Sequence, residues 1–116
     1  MSKDLKTSKK NEKEMIGYAI SKNKINIRLT QERWFHITES HDYMSGLSDT
    51  VLETINEPEI IFEGAEDELI ATKRFKNKYI VVIYKEIDKE DGFVITAFIT
   101  SKIEKIKNQR KIKWKK

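Results

Sequence analysis

Both histidines of the 116-residue chain fall in one stretch, RLTQERWFHITESH, residues 28 to 41. Histidine exchanges a proton near neutral pH, so a search for chemistry starts there. On a helix with about 100° between successive residues, His36 and His41 lie about 140° apart, whereas a metal-binding pair at i, i+4 shares one face. The spacing predicts no zinc pair. His41 falls on the side of Trp34 and Ile37, as expected for a packed residue at a helix end, where a cation also suits the helix dipole. His36 shares its sector with Arg33 and Ser40. An imidazole beside a guanidinium suits a phosphodiester, since one group moves protons while the other balances phosphate charge. The same sector also fits an ordinary solvated helix face.

Partners for His36 are available further along. ATKRF places the adjacent cations Lys73 and Arg74 on opposite faces of a strand, and TAFITS places Thr96, Phe98 and Thr100 on one face. Two hydroxyls and a cation facing a helix histidine would hold a scissile phosphate and stabilise its charged transition state. Threonine is also an ordinary strand residue, so only the combination has weight. The chain has no cysteine, no glycine-rich phosphate loop, no nucleophile elbow and no cluster at metal-ligand spacing. Neither a metal nor a cofactor is therefore expected. The acidic run EGAEDE, residues 63 to 68, reads as a solvated turn.

These residues need a scaffold. IGYAI and INIRL, separated by SKNK, suggest an N-terminal hairpin or a single strand. Thr30 then caps a helix, with Glu32 in its first turn and Leu29 placed to pack on Trp34. A second helix is expected over LSDTVLETINEP, capped by Ser48, with Leu47 stapling to Leu52, Val51, Leu52 and Ile55 inward, and Pro58 as the stop. Beyond Pro58 the period becomes strand-like through EIIFEG, ELIATKRF, KYIVVIYKEI and GFVITAFITS. The short connections KNK and DKEDG imply antiparallel neighbours, and IVVIY, apolar on both faces, implies a central strand. Ile103 and Ile106 can add a helical turn, after which Ile112 and Trp114 can fold back.

Length matches one domain. The formal net charge of +4 hides a division: residues 1 to 14 carry five lysines against three acids, and residues 102 to 116 carry eight basic residues against Glu104. The two ends together hold +9, and residues 15 to 101 hold −5. The organisation expected is a flexible basic tail over 1–14, one α+β domain over 15–106 and a basic tail over 107–116. Basic arms on an acidic body hold a phosphate polymer by sequence-independent attraction, which nominates Lys102, Lys105, Lys107, Arg110, Lys111 and Lys113 for RNA contact. Solubilising tails account for the same charges. No apolar run reaches the roughly 18 residues of a membrane span and the N-terminus has no secretory pattern, so a cytoplasmic protein is expected.

The sequence of RLTQERWFHITESH, VLETINEPEIIFEG, KYIVVIYKE and DGFVITAFITSKI resembles small uncharacterised proteins of phages and other mobile elements. These are grouped with the barnase, EndoU, colicin and RelE superfamily of metal-independent ribonucleases and toxins. The resemblance spans roughly residues 25 to 106. It implies two N-terminal helices on a roughly four-stranded antiparallel sheet. It also implies RNA cleavage by attack of the 2′-hydroxyl on the neighbouring phosphate, with RNA and an antitoxin protein as partners. Carried onto this chain, His36 is the proton carrier, Arg33 its neighbouring cation, Thr96 and Thr100 the strand hydroxyls, and Lys73 or Arg74 the strand cation. The pattern departs from members with histidine, proline and glutamate after the first histidine, since here the run is His41, Asp42, Tyr43. A non-catalytic module that binds nucleic acid or protein through the basic ends is the alternative.

Overall fold

The computed structural model of the chain describes residues 15–116; the expected N-terminal basic tail lies outside them. Strands β1 (Met15–Ile20) and β2 (Asn26–Thr30) precede helix α1 (Gln31–Ser40), a 3₁₀ turn (Asp42–Met44) and helix α2 (Ser48–Asn56). Strands β3 (Ile60–Glu63), β4 (Leu69–Phe75), β5 (Lys78–Glu86) and β6 (Asp91–Thr100) follow, then helix α3 (Ile103–Gln109) and strand β7 (Ile112–Lys115).

Local signals set most of these boundaries. The Thr30 hydroxyl accepts the Arg33 N–H at 3.1 Å and opens α1, while the His41 N–H donates to the Ile37 carbonyl at 2.8 Å and closes it. Gly46, at φ +83°, turns the chain toward α2. Ser48 is not the cap expected of it. The Val51 N–H bonds back to the Leu47 carbonyl, so Leu47 occupies the cap position and no side chain caps this helix. Glu57, at φ −134° and ψ 66°, has left the helical region that a following proline disfavours, and α2 stops before Pro58.

One sheet takes all seven strands, in the order β1-β2-β6-β5-β4-β3-β7. The strand β5 is central and feeds two cores, which explains why its apolar run does not alternate. Ile80, Val82 and Tyr84 point into a first core with Ile27, Leu29, Ile37, Val51, Ile55 and Val94; here α1 and α2 pack. Val81 joins Phe62, Ile70 and Ile103 in a second core on the opposite face, under α3. Burial in the first core pushes the Tyr84 phenol far above its usual range, so it stays protonated at any ordinary pH. The two ends of the sheet approach each other, since the Lys22 ammonium of the β1–β2 turn lies 5.1 Å from the centre of the Trp114 ring in β7. The sheet therefore curls around the first core.

The expectation of two N-terminal helices on a four-stranded antiparallel sheet is corrected here. The chain is α+β, but with three α-helices among the described residues and a seven-stranded mixed sheet. Two joins had no strand partner assigned from local pattern. The β1–β2 hairpin attaches through a parallel pairing of Asn26–Arg28 with Asp91–Phe93, segments some sixty residues apart that carry no turn signal for each other. Arg28 fixes this register by a bidentate ion pair with Asp91, Nε to Oδ1 at 2.8 Å and Nη2 to Oδ2 at 2.9 Å. Position 92 admits only glycine at the same place, since a Cβ would stand 2.4 Å from the Lys85 carbonyl and 2.7 Å from Ile27. The second join is β7, which pairs antiparallel with β3. Its IKWK pattern alternates apolar residues with lysine, the composition that protects an exposed sheet edge from pairing with other chains. The segment read as a basic tail over 107–116 thus completes α3 and supplies an edge strand, with Trp114 packed against the first core.

Candidate functional site

The side chains nominated around His36 do not converge. His36 is exposed on α1, its Nδ1 3.7 Å from Glu39 Oε1 on the next turn, and Arg33 beside it is also exposed. Thr96 and Thr100 lie across the sheet from them. The cause is a bulge in β6 opposite Ile83 and Tyr84. Val94 faces α1 and α2, and strict alternation would carry Thr96, Phe98 and Thr100 onto that face with it. The extra residue at the bulge reverses the parity, so Ala97 faces the first core while Phe98 faces the second. Lys73 and Arg74 do occupy opposite faces. Lys73 turns toward α2 and lies 3.6 Å from Glu53, and Arg74 turns to the far face, where its Nη1 reaches the Tyr79 hydroxyl at 3.5 Å.

A different group assembles at the end of the sheet formed by the β4–β5 turn and the end of β6. Arg74, Tyr79 and Thr100 sit side by side on β4, β5 and β6. The Thr100 hydroxyl accepts the Lys102 N–H at 2.9 Å, holding the start of α3 at this end. Lys76, at φ 57°, makes the tight reversal into β5, so Lys76, Asn77 and Lys78 project at its tip. The Arg74 guanidinium lies 5.7 Å from the Tyr79 ring centre and the Lys76 ammonium 5.5 Å from that of Phe75. Arg74, Lys76, Lys78 and Lys102 are all exposed, and none forms an ion pair with a described carboxylate.

The 3₁₀ turn brings aromatic rings to the same end. Strand β2 pairs with β6 only as far as Phe93, which leaves the later edge of β6 without a neighbouring strand among the described residues. Tyr43 covers that edge, its hydroxyl accepting the Ile99 N–H at 3.4 Å. His41 stands beside it, with ring centres 5.6 Å from Tyr43 and 6.0 Å from Phe98 and Nδ1 3.3 Å from the Tyr43 oxygen. With the imidazole proton on Nε2, the phenol donates to Nδ1 while accepting from Ile99. Tyr43, Phe75, Lys76, Asn77, Lys78 and Ile99 line a cleft of about 310 Å³.

No protein-family model, no curated protein and no solved structure matches the chain. What the site can do rests on its own geometry.

The remaining cations nominated from the sequence divide between the two ends. Lys102 and Lys105 belong to the start of α3, near the cationic end. Lys107 lies 3.6 Å from Glu104 on its own helix, and Lys113 lies 3.9 Å from Glu63. Arg110 and Lys111 return with the chain to the acidic end, where the Lys111 carbonyl accepts the Glu63 N–H and Arg110 helps hold the Glu68 carboxyl below its usual range. The larger cause of that shift is hydrogen bonding from the backbone N–H groups of Glu66 and Glu68. Glu86 accepts from the Ser21 hydroxyl at 2.6 Å and the Asn23 amide at 2.9 Å. A wider cleft of about 500 Å³ opens there between Glu63, Asp67, Glu68, Glu86 and Lys113. No group of three or more His, Cys, Asp or Glu is placed to hold a metal among the described residues.

Sequence reasoning missed Tyr43, Lys76, Lys78 and Tyr79. A signal was present in RFKNKY, residues 74 to 79, where three cations interleave with two aromatic rings. Cationic tails drew attention away from a hairpin that carries the same charge on a rigid support.

Proposed function

We propose that the chain binds nucleic acid, gripping the phosphate backbone with Arg74, Lys76, Lys78 and Lys102. The observation that carries this reading is the pairing state of those four cations: each is exposed, and none has a described carboxylate partner. Clustered cations without internal partners hold a counterion atmosphere that a polyanion displaces, and the exposed ring of Tyr43 beside them supplies a surface for a base. Four phosphate contacts on a single strand correspond to a log–log salt slope of about −3.

Fluorescence anisotropy of the full chain with a labelled single-stranded RNA, measured across a salt series, tests the reading. Lys76→Glu combined with Lys78→Glu is expected to lower affinity more than tenfold and flatten the slope by about 1.4. Lys113→Glu, at the acidic end, is expected to change both far less. Equal losses from the two variants would refute the assignment to this end.

A second reading, metal-independent cleavage of the bound RNA by 2′-hydroxyl attack, is favoured by one contact, His41 Nδ1 at 3.3 Å from the Tyr43 hydroxyl on the cationic rim. A proton carrier placed there stands beside Tyr43, which shares its cleft with Lys76 and Lys78. RNA incubated in EDTA should then be cut by the wild-type chain and by His36→Ala, and left intact by His41→Ala. Intact RNA with the wild type removes this reading and leaves binding untouched.

A further inference from the structure

From the cleft beside the cationic hairpin we infer that the ligand is held as a single strand, with one unpaired nucleotide seated between Tyr43 and the Lys76–Lys78 turn. This rests on the nucleic-acid reading and adds the form of the ligand. Its volume of about 310 Å³ lies at the lower limit of small-molecule sites, which run from roughly 300 to 1,000 Å³. That is room for one small ligand unit and not for a stacked run of bases.

The lining matches the parts of a nucleotide. Tyr43 is 50 % exposed although its hydroxyl is tied to the β6 edge, so a ring held in place presents a face to solvent. A pre-positioned aromatic face is what an unstacked base packs on. Phe75 and Ile99 extend the apolar wall. Asn77 lines the same cleft, and its amide carries both a donor and an acceptor, the pair that matches a base edge. Lys76 and Lys78 stand on either side of Asn77 in the chain and line the cleft too, which suits the phosphates before and after one seated base. In an A-form duplex the bases are stacked and paired inside, so only the backbone could touch this rim.

The test compares adenosine and uridine decamers with a blunt RNA duplex of equal length, by anisotropy on the full chain at fixed salt. Both single strands are expected to bind at least tenfold more tightly than the duplex. Tyr43→Ala should weaken single-strand binding by roughly five- to hundredfold while leaving duplex binding unchanged. Tyr43→Phe keeps the ring and should keep the preference. Asn77→Ala, in an exposed turn that any fold-preserving variant tolerates, should shrink the difference between the adenosine and uridine strands. Salt-dependent binding that is equal for strand and duplex and indifferent to Tyr43→Ala would overturn the nucleotide cleft while the cationic surface stands. Absence of salt-dependent binding to every RNA would remove both.

Discussion

The two ends of the sheet carry opposite charge and treat it differently. At the acidic end four carboxylates are answered inside the protein: Asp91 by Arg28, Glu63 by Lys113, Glu86 by Ser21 and Asn23, and Glu68 by backbone N–H groups of its own turn. Those charges shape turns and set strand register. At the cationic end Arg74 and Lys76 rest over aromatic rings and, like Lys78 and Lys102, have no described carboxylate within reach. Charges with partners in the fold are building material, and charges without them are available to a ligand. The distinction separates residues that one-dimensional charge counting treats alike. Lys113 and Lys78 are both exposed lysines in a basic-looking segment, yet one is tied to Glu63 and the other is not.

The contrast can be broken by substitutions at each end. The largest expected effect on stability is at β7, because it carries the ring that closes the curled sheet. Trp114→Ala should cost about 2 kcal/mol, less than the ~3–5 kcal/mol of a fully buried tryptophan because the residue is only partly buried. Chemical denaturation would show it as a lower midpoint with similar slope, and an unchanged midpoint would return residues 107–116 to the status of a tail.

A smaller effect is expected at the Arg28–Asp91 pair, whose side chains are 33 % and 41 % exposed. Asp91→Asn should cost about 0.2–1 kcal/mol at pH 7. The hydrogen bond from Arg28, and secondarily its charge, holds the Asp91 carboxyl below its usual range. A carboxyl lowered on folding contributes stability that is complete above the unfolded value of about 4. That contribution is lost as pH falls through the folded value. The wild type and Asp91→Asn should therefore converge in strongly acidic solution, and a difference that persists there would place the cost of the substitution elsewhere. The smallest effect belongs to the cationic end. Lys76→Glu with Lys78→Glu should alter stability by no more than about 0.5 kcal/mol, since exposed charges without partners contribute little to folding. A large destabilisation would mean that these lysines serve the fold as well.

Much of the fold was legible because it is written in short-range patterns. The Thr30 cap, the Gly46 turn, the stop before Pro58, the β1–β2 and β4–β5 hairpins and the double-sided apolar run of β5 all depend on residues within a turn or a strand of one another. The order of elements from α1 to β6 followed from them. The candidate site was far less legible. RWFHI does place Arg33 and His36 on one exposed sector, as helical spacing requires, but which face of β6 meets that helix depends on a single extra residue near Thr96. Ser48 was read one position from its true place for a similar reason: the preceding 3₁₀ turn brings Leu47 into the cap.

By itself, the sequence determined the α+β character, the order of elements from α1 to β6, the capping of α1 and the centrality of β5, because each follows from propensity and period over a few residues. Tertiary structure decided the parallel join of β2 to β6, the return of Trp114 to the first core and the parity of Thr96, Phe98 and Thr100. It also decided which lysines are paired. Pairing between distant segments is selected by burial and charge over the whole assembled sheet, and a one-residue bulge exchanges every side chain that follows it between faces. Neither leaves a mark within a local window.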